Sequence, residues 1–121
     1  VVPGEQIDTG VVRRASRARW GELLEAGAEI REYQPTMFHC KMLVVDRLLV
    51  SVGSTNFDNR SFRLNDEANL NVYDADFAAR VTEVFEQDLA RARPITHHAW
   101  RSRPWHEKLL EQAAALLSPQ L

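Results

Sequence analysis

The feature that most constrains this chain is a pair of short apolar runs on either side of Asp46-Arg47. Residues 38–45 are apolar except for His39 and Lys41, and residues 48–52 form a second, mostly apolar run. Short runs that contain β-branched residues and are bounded by a polar dipeptide are typical of strands. The pattern therefore predicts two adjacent strands joined by a turn at Asp46-Arg47.

Side-chain alternation places the polar residues of the first strand. Because successive side chains point to opposite faces, His39 and Lys41 share one face with Leu43 and Val45. Both faces become apolar toward Val45, which predicts a central strand covered on both sides, with Cys40 in the core. Lys41 would then lie at the mouth of a core, where an ammonium group needs an anionic partner. A bound phosphate would supply that partner.

The second strand is followed by the polar loop Gly53-Ser54-Thr55-Asn56. Asn56 is expected to cap a short helix that ends near Arg63, and backbone amides at such a helix start favour an anion. A lone His-x-Lys is usually surface decoration, and a lone Gly-Ser-x-Asn is usually a turn. The two together at this fixed spacing favour a site that binds and cleaves a phosphodiester.

Strand and helix patterns alternate along the rest of the chain, which predicts an α/β fold with a central mixed β-sheet flanked by helices. Four helices and two further strands are predicted. The helices cover residues 8–26, capped by Asp8-Thr9 and stopped by Gly27; 76–92, broken by Pro94; a short turn after Thr96; and 104–117, with an apolar stripe of Trp105, Leu109, Ala113 and Leu116. The strands cover residues 28–34 and 68–73, the latter with Leu70 and Val72 facing inward.

Length and composition bound the remaining possibilities. The chain has 121 residues, of which 45% are hydrophobic and 26% charged, as is ordinary for one globular domain over residues 1–121 with an amphipathic tail at 94–121. Cys40 is the only cysteine, so an internal disulfide is excluded. The longest apolar run is far shorter than the roughly 18 residues of a membrane span. The first residue is not Met, so we expect a fragment of a longer chain.

Charge is distributed unevenly, although the net charge is only -2 and no nucleic-acid partner is expected. Two arginine clusters are either solvated helix faces or docking surfaces for anionic lipid. The tryptophans near the second cluster favour the lipid surface there. The clusters are Arg13, Arg14, Arg17 and Arg19, and then Arg91, Arg93, Arg101 and Arg103 beside Trp100 and Trp105.

The spacing from His39 through Lys41 and Asp46 to Gly53-Ser54 resembles the His-Lys-Asp signature of the phospholipase D superfamily. Residues 57–67, Phe-Asp-Asn-Arg-Ser-Phe-Arg-Leu-Asn-Asp-Glu, are similar to the bacterial cardiolipin synthase branch in particular. The likeness extends upstream over residues 8–37 and downstream over residues 68–72, 103–105 and 107–110, and so covers nearly the whole chain. It implies a phospholipase D-like half, in which two similar halves each contribute one signature to a shared site. This chain matches the second half.

The resemblance also implies roles for individual residues. His39 would be the general acid that protonates the leaving oxygen. Lys41 would bind the non-bridging phosphate oxygens. Asn56 would donate to the phosphate, and Ser54 would line the loop.

Two acidic residues complete the implied set. Asp46 belongs to the signature in a structural role, away from the substrate. Glu67 would hold the catalytic imidazole in its tautomer, a sensible role because an acid–base histidine works best when its other nitrogen is oriented. A solvated acid at the start of a strand remains the alternative for Glu67.

The function implied is phosphatidyl transfer that makes cardiolipin from phosphatidylglycerol through a phosphohistidine intermediate. No cofactor or metal is expected, and His97, His98 and His106 lack metal-ligand spacing. The expected partners are anionic phospholipid, a membrane surface, and either the missing amino-terminal half or a homodimer mate. The location implied is the cytoplasmic face of a bacterial cell membrane, with the isolated fragment soluble. Two alternatives stay open: a single-signature phosphodiesterase, nuclease or phospholipase D acting as a homodimer, and an inactive phosphate-binding fragment.

Overall fold

The computed structural model describes residues 1–5, 10–56 and 59–116. The described chain divides into two compact units, the first drawn from Val1–Phe38 and Arg91–Leu121 and the second from His39–Ala90. Helices and strands occur in both units, which confirms the α/β class, whereas a single domain over residues 1–121 stays a prediction. In chain order the elements are β1 (Val2–Pro3), α1 (Gly10–Ala18), α2 (Trp20–Glu25), β2 (Ile30–Tyr33), β3 (Lys41–Val45), β4 (Leu49–Gly53), α3 (Asn59–Arg63), β5 (Asn69–Tyr73), α4 (Ala75–Ala90), β6 (Ala92–Ile95), α5 (His97–Arg101) and α6 (Trp105–Leu116).

Two three-stranded sheets take the place of the one central mixed sheet that the sequence predicts. The sheet of the first unit is mixed, because β1 runs parallel to β2 while β6 runs antiparallel to it. Pro94 lies inside β6 and not merely beyond the end of α4. Because β6 is an edge strand, the missing N–H of a proline is tolerated there.

The predicted helix over residues 8–26 is divided into α1 and α2 by a turn at Arg19. The indole Nε1 of Trp100 donates to the carbonyl oxygen of Arg17 at 2.8 Å and so satisfies a carbonyl at the end of α1. Gly21 lies against the same indole, and a Cβ there would collide with the Trp100 ring. Trp100 is distant in sequence, so the break is a tertiary effect. The proposed cap at Asp8-Thr9 lies outside the described residues.

Helix α6 forms as predicted, but its buried face is not the predicted one. Trp105, Leu109 and Leu116 of the apolar stripe are 73%, 60% and 82% exposed. Glu111 and Ala114 are buried instead. Helix α6 packs against α1, and its inward face is set by ion pairs to Glu111.

Buried ion pairs connect the helices and the sheet of the first unit. The fully enclosed carboxylate of Glu32 on β2 lies 2.6 Å from both Arg13 and Arg93. Glu111 similarly lies 2.7 Å from Nε of Arg103 and 3.0 Å from Nε of Arg17. Four of the clustered arginines therefore bind carboxylates within the unit. A role of the second cluster at a lipid surface stays a prediction.

The second unit is built on the antiparallel sheet β3-β4-β5, with α4 packed against β3 and β4. The predicted turn between β3 and β4 is confirmed. Asp46 and Arg47 both adopt left-handed backbone conformations, with φ of 52° and 54°, and Leu48 N–H donates to the Val45 carbonyl at 3.0 Å. Two successive residues with positive φ match the twist of a tight hairpin.

Three packing expectations for this unit are wrong. Strand β3 is an edge strand, and Leu43 is 54% exposed, so it is not a central strand covered on both sides. It begins at Lys41, so His39 and Cys40 precede it, and Cys40 is exposed instead of lying in the core. Leu70 is 64% exposed instead of facing inward. A helix can lie against only one face of a sheet, so the packing of α4 leaves other side chains of β3 and β5 exposed, Leu43 and Leu70 among them.

Candidate active site

The register of the β3–β4 hairpin explains the spacing of the sequence motif. Lys41 at the start of β3 lies directly opposite Gly53 at the end of β4. The turn at Asp46-Arg47 closes the other end of the hairpin. The hairpin therefore brings the His39–Lys41 segment beside the loop at Ser54, although the two are more than ten residues apart in sequence.

His39 and Lys41 are in direct contact. Nζ of Lys41 lies 2.7 Å from Nε2 of His39, and it also donates to the His39 carbonyl oxygen at 3.1 Å. An ammonium group is only a donor, so Nζ is the donor in both contacts. The contact places a cation and an imidazole nitrogen at one point.

The loop after β4 is held to the start of β5 by hydrogen bonds. Ser54 N–H donates to the Ala68 carbonyl at 3.0 Å, and Ser54 Oγ accepts from Ala68 N–H at 3.1 Å. Thr55 N–H donates to Oδ1 of Asn69 at 3.2 Å. A Cβ at Gly53 would collide with Ala68 and Asn69, so this close approach requires glycine.

Asn56 and Glu67 are connected by hydrogen bonds through Ser61, a residue with no predicted role in the site. Ser61 is buried on α3, and its hydroxyl accepts from Asn56 N–H at 3.2 Å and donates to Oε1 of Glu67 at 2.9 Å. Nδ2 of Asn65 donates to the same carboxylate oxygen at 3.3 Å. The serine precedes a polar Asn-Asp-Glu segment by a few residues, but such a pattern does not indicate burial. The predicted cap of α3 by Asn56 involves residues outside the described ranges.

The Glu67 carboxylate is stabilised in its charged form. Hydrogen bonds from the hydroxyl groups of Ser54 and Ser61 lower its pKa below the usual range, against a smaller opposing effect of burial. Asn65 and the positive charge of Lys41 lower the pKa further. The structure thus places an ionised carboxylate near Lys41. Orientation of the His39 imidazole by Glu67 stays a prediction, since the hydrogen bonds found among the described residues join Glu67 to its serine and asparagine neighbours.

Asp46 lies at the opposite end of β3 from Lys41, about five residues away at ~3.3 Å each. It is exposed and adopts a left-handed conformation, which aspartate tolerates better than most residues. A structural role for Asp46, away from the substrate, stays a prediction. The catalytic and phosphate-binding roles of the other motif residues remain predictions.

Two kinds of feature are absent within the described ranges. No group of three or more His, Cys, Asp or Glu side chains is placed to hold a metal ion. No helix in this part of the chain is both long enough and apolar enough to cross a membrane.

The fold and the sequence together define the class of protein. The crystal structure of a phospholipase D family member, Nuc from Salmonella typhimurium, superposes with a TM-score of 0.66 over 74% of this chain and 60% of that chain, at 23% identity. The two therefore share a fold. The family described as "Cardiolipin synthase, PLD-like domain" matches residues 1–89. The chain belongs to this family of phospholipase D-like domains.

Full-length relatives are more similar in sequence. The cardiolipin synthase of Geobacillus sp. (strain WCH70) is 40% identical over 114 residues, which are 94% of this chain and 23% of that protein. The major cardiolipin synthase of Bacillus subtilis is 39% identical over 94% of this chain and 24% of that protein. The chain thus spans about a quarter of the length of the curated relatives it matches.

Proposed function

We propose that this chain supplies one half of the active site of a phosphatidyltransferase that makes cardiolipin from phosphatidylglycerol. The observation that carries the proposal is the Lys41–His39 contact of 2.7 Å, at the end of the hairpin where the Ser54 loop begins. An imidazole and an ammonium group at one place, beside a polar loop, suit a phosphodiester anion. The relatives that match most of this chain are named cardiolipin synthases.

In the first step, a histidine from the other half-site attacks phosphorus. A P–N bond forms, and the P–O bond to the leaving glycerol breaks. The imidazolium of His39 gives its proton to the departing glycerol oxygen, so that glycerol leaves neutral. Lys41 and the Asn56 side chain donate to the non-bridging oxygens, where negative charge grows in the transition state.

In the second step, the free glycerol hydroxyl of another phosphatidylglycerol attacks the phosphohistidine. The new P–O bond forms as the P–N bond breaks, and the hydroxyl proton passes to His39. Substrate binding changes the resting contact: the phosphate becomes the partner of the Lys41 ammonium, and Nε2 of His39 is free to take a proton. Water in place of the lipid hydroxyl would make the reaction a hydrolysis.

The signature occurs once in this sequence, which also supports a second candidate: a site built from two copies of the chain around a two-fold axis. Such a homodimer would be a phosphodiesterase, nuclease or phospholipase D. The first function is favoured by the relatives, since they match this chain over 94% of its residues.

The test follows cardiolipin and free glycerol after adding the purified, full-length protein to phosphatidylglycerol vesicles. We expect both products in equal amounts, and their loss in His39→Ala. His98→Ala is the matched control, because His98 is an exposed histidine of the other unit. Equal turnover by wild type and His39→Ala would refute the proposal. Hydrolysis of a phosphodiester without lipid transfer, by a demonstrated dimer of this chain, would support the second candidate.

A further inference from the structure

Ser61 lies between two parts of the candidate site without belonging to the sequence signature. Its side chain is only 6% exposed. The hydroxyl accepts a hydrogen bond from Asn56 N–H at 3.2 Å and donates one to Oε1 of Glu67 at 2.9 Å. A single buried oxygen therefore connects the phosphate-binding loop with the carboxylate.

This double contact needs a hydroxyl group. A serine hydroxyl can donate one hydrogen bond and accept two, so it can serve a backbone amide and a carboxylate together. Alanine at position 61 would remove both contacts, and a buried polar group that loses its partner is costly. A thiol is a weak donor and would serve the carboxylate poorly.

We infer that Ser61 is a positioning residue, which holds the Ser54–Asn56 loop and the Glu67 carboxylate in one geometry for phosphate binding. The inference rests on the proposed function, since it assigns Asn56 and Glu67 to a phosphate site. Ser61 itself does not touch the substrate. It acts on the loop through a backbone amide and on Glu67 through a charge-assisted hydrogen bond, which is among the stronger kinds.

The electrostatics of Glu67 support this role. Hydrogen bonds from Ser54 and Ser61 are the main causes that lower the pKa of Glu67. Removing the Ser61 hydroxyl should raise that pKa toward its ordinary value. If Glu67 acts as a carboxylate, the acid limb of the pH profile, where kcat/KM falls at low pH, then moves to higher pH.

The experiment compares Ser61→Ala, Ser61→Thr and Ser61→Cys in the full-length protein. Ser102→Ala is the control, since Ser102 is an exposed serine that donates to a helix carbonyl in the other unit. We expect Ser61→Ala to lower kcat/KM by roughly 10- to 100-fold, as the loss of a hydrogen bond to a charged group predicts. Its acid limb should move to higher pH. Ser61→Thr should keep the wild-type limb, and Ser61→Cys should resemble alanine.

A second readout needs no turnover. Inorganic phosphate should raise the melting temperature of the wild type and of Ser102→Ala, because a ligand that binds the folded state stabilises it. The shift should be smaller in Ser61→Ala and Ser61→Cys than in Ser61→Thr. An unchanged acid limb together with an unchanged phosphate shift in a folded Ser61→Ala or Ser61→Cys protein would overturn the inference. Absence of cardiolipin formation by the wild type would instead contradict the proposed function, while the phosphate shifts would still decide the role of Ser61.

Discussion

Nζ of Lys41 lies 2.7 Å from Nε2 of His39, so the two side chains of the His-x-Lys motif are in direct contact. A protonated imidazole nitrogen carries a hydrogen and cannot accept from an ammonium group, whereas the proposed first step needs that protonated form. A phosphate that binds Lys41 would resolve this conflict, because it replaces the imidazole as the partner of the ammonium group. In the proposed reaction, phosphate binding at Lys41 would therefore accompany protonation of His39.

The first prediction concerns Lys41. In the full-length protein, Lys41→Ala should slow turnover, because a donor to the charge of the transition state is lost. The activation free energy should rise by about 3 kcal/mol. Arg47→Ala is the matched control: it removes a cation from the turn at the far end of the hairpin and should leave turnover nearly unchanged. The measurement is the initial rate of cardiolipin formation, with melting curves to verify folding. Near-normal turnover in a folded Lys41→Ala protein would remove the basis for the whole motif assignment.

The second prediction concerns the pH dependence of stability. Burial raises the pKa of Glu32, but hydrogen bonds from Arg93 and Arg13 and the charges of Arg13 and Arg17 outweigh it, and the net pKa is lowered. A lowered pKa in the folded state means that the stabilisation is present above the unfolded-state pKa and is lost as pH falls through the folded-state pKa. The free energy of unfolding in urea should therefore fall on acidification.

Substitution at Glu32 tests that assignment. Glu32→Gln should lower the free energy of unfolding by roughly 3–5 kcal/mol at neutral pH, as is typical when one partner of a buried ion pair is removed. It should also weaken the fall of that free energy on acidification. Glu29→Gln is the control, because the Glu29 side chain is 79% exposed and lies 3.5 Å from Arg31. Its effect should be within about 1 kcal/mol. Equal effects of the two substitutions would show that Glu32 is not the buried centre described above.

The third prediction concerns Cys40, which is exposed beside His39. A maleimide reagent should label the folded protein at close to the rate seen in denaturant, because no packing blocks the thiol. Cys40→Ser should change the free energy of unfolding by no more than about 0.5 kcal/mol, as for other surface substitutions. Labelling that begins only when the protein unfolds would instead show that Cys40 is buried, as strand alternation predicts.

The fourth prediction concerns the half-site. The 121-residue chain as a monomer should show little or no phosphatidyl transfer, since it carries one His39–Lys41 pair. The loss of one acid–base histidine alone removes a factor of roughly 10² to 10⁴ in rate. Sedimentation and lipid product analysis on the same sample are the measurements. Efficient transfer by a demonstrated monomer contradicts the half-site, whereas activity confined to a dimer supports the two-fold arrangement.

Local patterns in the sequence were sufficient for several of the elements and for the motif. The hairpin turn follows from the polar dipeptide Asp46-Arg47, whose residues both adopt positive φ. The helix after Thr96 follows from the capping threonine, and helix α4 follows from helical periodicity. The contact between Lys41 and His39 joins residues only two apart in sequence, so it too depends on local chain geometry.

The sequence by itself therefore determined the class of fold, the hairpin and the residues of the motif. Only the tertiary structure decided which faces are buried. Glu111 turns inward because Arg17 and Arg103 meet it there, and Trp100 ends α1 by binding the Arg17 carbonyl. Ser61 joins Asn56 to Glu67 in the same way. Each of these depends on partners that come together only in the folded chain, and a hydrogen bond or ion pair is decided by distance in space, which periodicity in sequence does not encode.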